Sequence, residues 1–254
     1  MVYEGSAFYD DDAIFNTYLA RRQRADNPND TMEKPVILEL IGEFTNQRVL
    51  DLGCGDATFG REALTKGCQS YLGIEGSSNM VNVAQQTLAG TPGKVVQAAI
   101  EHWEYPAQAF DLVVSRLVFH YLQDIDAIFR QVYRTLTPQG RFVFSVEHPV
   151  ITSCDRGWQG IGKRQDWVVD NYFEAGQRIT YWMGGQVIKY HRTVEHYFVS
   201  LQRAGFFMES LREAEPHPAQ FGNDDETYQR RKRIPLFLMI ACQKRPTSAA
   251  NANH

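Results

Sequence analysis

From Arg48 onward, short runs of continuous apolar residues alternate with stretches of helical spacing. RVLDLG (48–53) precedes a helix over about Gly60 to Lys66, and SYLGIEG (70–76) precedes one over Asn79 to Leu88. KVVQAAI (94–100) leads into a loop, FDLVVSR (110–116) precedes a helix over Ile125 to Leu136, and RFVFSVEHP (141–149) follows. Strands that are apolar along their whole length and alternate with helices predict a parallel sheet covered on both faces, a doubly wound α/β fold. Upstream, DDDAIFNTYLARRQRADNPNDTMEKPVILELIGEF (10–44) spaces its apolar residues at helical intervals, and Pro28 and Pro35 break it into at least two helices before the first strand.

After Pro149 the pattern changes. Ile151 to His191 is rich in Trp, Tyr and Gly, and YFEAGQRITYWMGGQVIKYH (172–191) reads as a β-hairpin turning near Gly184 and Gly185. TVEHYFVSLQRAGF (193–206) is an amphipathic helix closed by Gly205, and FFMESLREAEP (206–216) and IPLFLMIACQK (234–244) are two further strands, giving a mostly parallel seven-stranded sheet. The expected organisation is an N-terminal helical cap (1–46), a ligand-binding core (47–150), an inserted aromatic-rich lid or substrate segment (151–191), a closing helix with the last two strands (192–245), and a flexible tail (246–254).

Composition narrows the function. The chain has 254 residues, 43% of them hydrophobic, and a net charge of -4, so a general nucleic-acid binder with a basic face is not expected. The run RRKR (230–233) reads as a solvated loop. The longest apolar stretch, IPLFLMIAC, is far short of the roughly twenty residues that span a bilayer, and three consecutive aspartates (10–12) stand where a secretion signal needs positive charge. Cys54, Cys68, Cys154 and Cys242 show no close pairing, so neither a metal knuckle nor a disulfide framework is expected. The expectation is a cytoplasmic protein with a small-molecule partner, no bound metal, and a monomeric or homodimeric state.

The candidate chemistry starts at VLDLGCGDATFG (49–60). In doubly wound sheets ligands bind at the carboxyl ends of the strands, where strand order reverses. A dinucleotide fingerprint needs a third glycine where Thr58 stands. Asp51, two residues before Gly53, would repel a pyrophosphate but suits a ligand carrying an ammonium and a sulfonium. Glu75, twenty residues after Gly55, stands where such folds place an acid on the ribose hydroxyls. A ribose together with a positive charge points to S-adenosylmethionine.

These stretches, with GIEGSSNMV (73–81), FDLVVSRLVFHYL (110–122) and LTPQGRFVFSVEHP (136–149), resemble the class I S-adenosylmethionine-dependent methyltransferases, in particular the small-molecule methyltransferase type 11 group, whose fold is Rossmann-like. The resemblance covers roughly Gln47 to Pro149. It implies that Asp51, Gly53, Cys54 and Gly55 line the methionine half of the cofactor, that Glu75 and Gly76 hold the ribose, and that Ser77, Ser78, Met80 and Ser115 lie near the cofactor. The family often has an aspartate after the third strand for the adenine amino group; here QAAIEHW (97–103) leaves Ala99, Ile100 and Glu101 for that task, with Trp103 available to stack.

His120 and His148 are the candidate catalytic residues, as bases for an acceptor proton, against the alternative that each is merely fixed by hydrogen bonds. Glu147, His191, Arg192, Tyr9 and Tyr18 are candidate acceptor contacts, and Tyr9, Tyr18 and Arg22 could also close over the cofactor carboxylate. Trp158, Trp167, Tyr172, Tyr181 and Trp182 suggest an apolar or aromatic pocket in the insertion, or packing alone. The reading is methyl transfer from S-adenosylmethionine to an O, N or C atom of a small molecule, releasing S-adenosylhomocysteine. The alternatives are a nicotinamide-dependent oxidoreductase and a non-catalytic S-adenosylmethionine-binding protein.

Overall fold

The computed structural model describes residues 1–22, 24, 26–161, 164–222 and 225–245, so the expected tail over 246–254 lies outside the described residues. In chain order these form β1 (Val2–Tyr3), α1 (Asp12–Arg22), α2 (Lys34–Ile41), β2 (Arg48–Leu52), α3 (Thr58–Thr65), β3 (Ser70–Glu75), α4 (Ser78–Leu88), β4 (Lys94–Gln97), β5 (Phe110–Arg116) and α5 (Ile125–Thr135). There follow β6 (Leu136–Glu147), α6 (Pro149–Thr152), β7 (Trp158–Gln159), β8 (Asp166–Trp167), β9 (Gly176–Trp182), β10 (Gly185–His191), α7 (Val194–Ala204), β11 (Phe206–Glu213), α8 (Asp225–Lys232) and β12 (Phe237–Lys244).

Seven strands make one sheet in the order β11-β12-β6-β5-β2-β3-β4. All neighbours from β6 to β4 pair in parallel, and β12 runs antiparallel between β6 and β11. The continuous apolar runs divide by strand alternation into two cores. Leu50, Leu52, Val113, Phe142, Phe144 and Ile240 face Phe129, Val132 and Leu201 of α5 and α7, whereas Val49, Leu112, Val143 and Met239 face Ile37, Phe59 and Ala84 of α2, α3 and α4. Both faces are therefore dry, which is why the strands carry so few polar positions. Side-chain caps set the starts of α4, α5 and α7: Ser77 Oγ accepts from Met80 N–H, Asp124 Oδ1 from Ala127 N–H and Thr193 Oγ1 from His196 N–H.

Several strand limits differ from the pattern, among them β11, which ends at Glu213, and β12, which starts at Phe237. β4 ends at Gln97, because Ala99 turns the chain by accepting the N–H groups of His102 and Trp103 through its carbonyl oxygen. β6 starts earlier, at Leu136, and its pairing with β5 shifts between Phe110 and Leu112, next to the positive-φ residue Gln139. The segment RRKR is not a loop: Arg230 to Lys232 end α8.

The insertion and the N-terminus are joined in a way the pattern did not predict. β9 and β10 form the expected hairpin, with Trp182 opposite Gly185 and both turn residues, Met183 and Gly184, at positive φ (48° and 90°). Two positive-φ residues match the right-handed twist of the flanking strands. β1 adds to the hairpin in parallel, Val2 against Gln186 and Tyr3 against Val187, giving a three-stranded sheet. Phe8 is fully buried there and stacks on Trp182 at 5.5 Å. The same N-terminal segment is tied to the large sheet by Asp10, whose Oδ1 accepts from Ser77 Oγ at 2.8 Å and Ser78 Oγ at 3.0 Å. The small sheet thus stands over the carboxyl ends of the parallel strands.

Candidate active site

The chain runs outward from β2 through β3 and β4 and then returns to place β5 on the other side of β2, so the strand order reverses beside β2. At that point the N–H groups of Gly53 and Cys54 both donate to Ile74 O, which folds the loop back onto β3. Gly53 has a φ of 74°, and a Cβ there would come within 2.4 Å of Val118 Cγ2. Only glycine fits this conformation and clearance. A Cβ at Gly55, in contrast, would meet nothing within 4 Å, so the space above that backbone is open to a ligand.

Two acids flank the open space. Asp51 is 2% exposed, its Oδ2 accepts from Tyr71 OH at 2.7 Å, and burial raises its pKa to about 7 against the opposing effects of Tyr71 and Arg116. Glu75 accepts from Gly55 N–H through Oε2 and from Ser77 N–H through Oε1, both at 2.9 Å, while burial pushes its pKa up. A carboxylate offers about four lone-pair sites, so each oxygen keeps one for a ligand hydroxyl. A buried acid, a second acid fixed by its loop, and an open glycine backbone fit a cationic, ribose-bearing ligand. They do not fit a pyrophosphate.

The cavity above these groups has a volume of about 870 Å³ and continues past His120, Tyr121, Glu147 and Lys189 to Trp158, Trp167 and Trp182. Lys189 of β10 is 3% exposed and reaches Glu147 at 2.6 and 2.7 Å, with its ammonium over the Tyr121 and Trp182 rings. His120 Nδ1 accepts from Glu147 N–H, which puts the proton of the neutral ring on Nε2. Burial lowers the His120 pKa to about 4 against the attraction of Glu147, so the ring is neutral at physiological pH and poorly suited to take a proton. Arg116 lines the same space and pairs with Glu33, which is fully buried.

Of the residues singled out by sequence, Asp51, Gly53, Cys54, Gly55, Glu75, Gly76, Met80, Ala99, Ile100, Glu101, His120, Glu147, Tyr9 and Tyr18 line this one cavity. Others do not. His148, expected to face the cleft, accepts from Val150 N–H at Nδ1 and sits 2.8 Å from Glu213 at Nε2. Successive side chains at a strand end point to opposite sides, and Glu147 takes the inward one. His191 joins Thr152 Oγ1 and Tyr172 O, each at 2.8 Å. Arg192 donates to the carbonyls of Leu122 and Gln123 at 2.6 Å and so holds the loop that carries His120. Ser115 donates to Leu52 O inside the sheet, Ser77 and Ser78 turn to Asp10, and Trp103 packs on Tyr105 at 4.7 Å instead of facing a ligand. Tyr172 stacks edge-on against His191. Arg22 does line the cavity, but paired with Asp30.

The pattern missed Lys189, Arg116 and Arg231, which also line the cavity. Lys189 stood beside the flagged His191 in KYHRT, so its signal was present but assigned to its neighbours.

Residues 50–144 match a family model described as a methyltransferase domain. An S-adenosylmethionine dependent methyltransferase from Mesorhizobium loti is similar in structure, with 33% identity, coverage of 88% of this chain and 99% of that one, and a TM-score of 0.76. An uncharacterized protein of Haemophilus influenzae is 28% identical over 215 residues, 81% of this chain and 85% of that protein. Phosphoethanolamine N-methyltransferase 2 of Haemonchus contortus, in complex with S-adenosyl-L-methionine, shares the fold at 17% identity, with a TM-score of 0.65 over 95% of this chain and 60% of that one.

Proposed function

The chain belongs to the S-adenosylmethionine-dependent methyltransferases and transfers a methyl group from that cofactor, and from this premise we propose that its acceptor is a small molecule held beside His120, Glu147 and Lys189. The observation that carries the reading is the single cavity running from Glu75 to Trp182, whose volume of about 870 Å³ lies within the roughly 300–1,000 Å³ of small-ligand sites. S-adenosylmethionine supplies a methyl group already activated on a sulfonium. Glu75 holds the ribose, Asp51 faces the ammonium, and Ala99, Ile100 and Glu101 border the adenine. Tyr9, Tyr18 and Trp182, from the N-terminal segment and the hairpin, cover the cavity and exclude water, so that 151–191 acts as a lid with residues 1–46. His120 offers an Nε2–H to position the acceptor, and rate comes mainly from in-line placement. The free thiols of Cys54, Cys68, Cys154 and Cys242 support a cytoplasmic location; among the described residues no helix is long and apolar enough to cross a membrane. No group of residues able to hold a metal occurs among the described residues.

Cell extract incubated with the protein and methyl-labelled S-adenosylmethionine should gain label in its low-mass fraction. Label found only in protein or nucleic acid overturns the small-molecule reading.

The raised pKa of Asp51 has a measurable consequence. An acid with a folded pKa of about 7 is neutral below that pH, and an ammonium ligand favours its ionised form, so binding expels a proton there. S-adenosylhomocysteine affinity should hold above about pH 7 and weaken by up to about tenfold per pH unit below it. Calorimetry in buffers of different ionisation heat reads both the affinity and the released proton. A flat profile through this range removes Asp51 from the ammonium site.

A further inference from the structure

Most arginines in the segments that contribute to the cavity have partners. Arg22 pairs with Asp30 at 3.1 Å, Arg24 grips Asp26 at 2.9 and 2.7 Å, Arg156 pairs with Asp170, and Arg233 pairs with Asp166 at 3.1 Å and donates to Gln165 O. Three others line the cavity itself: Arg21 at the end of α1, Arg164 between β7 and β8, and Arg231 on the last turn of α8. None of these three guanidinium groups has a hydrogen bond or ion pair among the described residues, and Arg231 Nε is buried without a partner. Arg21 and Arg164 are exposed and meet water, but leaving the buried Arg231 Nε unmet is costly, and a ligand is the usual remedy.

The three are held together. The Arg233 contacts to Gln165 and Asp166 fasten the segment bearing Arg164 to the helix bearing Arg231. Arg231 has its pKa lowered to about 10 by burial and by repulsion from Arg230, Arg21 and Arg164, and Arg21 is lowered by burial and by Arg24 and Arg164. Converging cations raise the local potential for an anion, and Glu147, the second acid that Arg21 senses, is already held by Lys189. Asp26, the acid that both Arg21 and Arg231 sense, is already taken by Arg24.

The position of Arg231 separates it from the cofactor residues. Arg231 precedes β12, whose first residue, Phe237, pairs with Glu147, whereas Glu75 ends β3. β12 lies four strand spacings from β3 and three from β2, which at about 4.8 Å each is roughly 19 Å and 14 Å. Trp158, Trp167 and Trp182 line the same cavity with apolar surface. We propose that the methyl acceptor carries an oxyanion, a carboxylate or a phosphate, that Arg21, Arg164 and Arg231 bind while its apolar body lies against these tryptophans. Planar guanidinium groups match both anions through paired hydrogen bonds. The inference rests on the reading of the cavity as holding a small acceptor beside the cofactor.

The test uses the full chain saturated with S-adenosylhomocysteine and titrated at low salt with benzoate, phenyl phosphate and benzamide. One or both anions should bind at least about tenfold more tightly than the neutral amide, and the stronger of the two identifies the acid. The double variant Arg21→Gln, Arg231→Gln should lose that preference and keep its S-adenosylhomocysteine affinity. Arg130→Gln with Arg203→Gln, which removes equal charge from α5 and α7, should change neither. Equal anion binding by the cavity variant and the wild type overturns the inference. So does weaker S-adenosylhomocysteine binding in the cavity variant, since the arginines would then serve the cofactor's own carboxylate. Failure of the wild type to bind S-adenosylhomocysteine would defeat the underlying reading instead, a result distinct from cofactor binding without anion preference.

Discussion

Glu33→Ala should lower the stability of the fold by about 3–5 kcal/mol, the range for removing one partner of a buried ion pair. Glu33 is fully buried just before α2, and both of its carboxylate oxygens accept from Arg116 Nε at 3.2 Å. Its Oε1 also accepts from Ser145 Oγ at 2.7 Å, and that hydroxyl in turn accepts from Leu117 N–H at 3.1 Å. One carboxylate therefore fixes the N-terminal helices to the ends of β5 and β6, directly beneath the cavity. Alanine leaves the Arg116 charge and the Ser145 hydroxyl without it, and the nearby Glu33 charge is what holds the Arg116 pKa above its ordinary value despite burial. Urea unfolding should show a lower midpoint with an unchanged slope. The double variant Glu33→Leu, Arg116→Met should recover most of the loss, because it leaves no charge unpaired. An unaltered midpoint in the single variant would falsify the assignment.

That ion pair also marks where sequence reading stops. The sheet was legible because its strands are covered on both faces, so that Val49 and Leu50 serve different cores and the run reads as continuously apolar. The proposed cofactor end was legible because its residues fall within single short segments: Asp51 in β2 with Gly53 and Gly55 in the loop after it, and Glu75 at the end of β3 with Gly76 following. The proposed acceptor end is assembled from distant segments. Lys189 meets Glu147 across 42 positions and Arg116 meets Glu33 across 83, and periodicity carries no signal for either contact. Direction was the second loss. Glu147 and His148 are adjacent, yet one faces the cavity and the other caps α6. His191 is held inside the insertion by Thr152, and Arg192 holds the loop after β5, where the sequence shows only that both are polar.

Environment was the third. His120 was found by its place after β5, but its role as a base depended on a pKa near neutrality, and burial brings it to about 4. A histidine that stays neutral donates a hydrogen bond and leaves the acceptor to supply its own lone pair. Turnover should therefore show no titration of His120 near the ordinary histidine range, and any acid limb there belongs to the acceptor or to Asp51, which titrates at about 7.

Glu75→Ala should weaken S-adenosylhomocysteine binding by about 2–3 kcal/mol, roughly 30- to 150-fold, as expected for hydrogen bonds to a charged acceptor. Two contributions enter that figure. Glu75 accepts from Gly55 and Ser77 N–H groups at 2.9 Å, so alanine also frees the glycine loop and the start of α4. The ribose contribution is isolated by comparing S-adenosylhomocysteine with its 2′-deoxy analogue in both proteins, since the loop is disturbed equally for the two ligands. The wild type should prefer the ribose form, and the variant should bind the two alike. Glu75→Gln keeps one acceptor oxygen and should fall between them. If the variant retains the full preference for the 2′-hydroxyl, the ribose is held elsewhere in the cavity and Glu75 serves only to shape the loop.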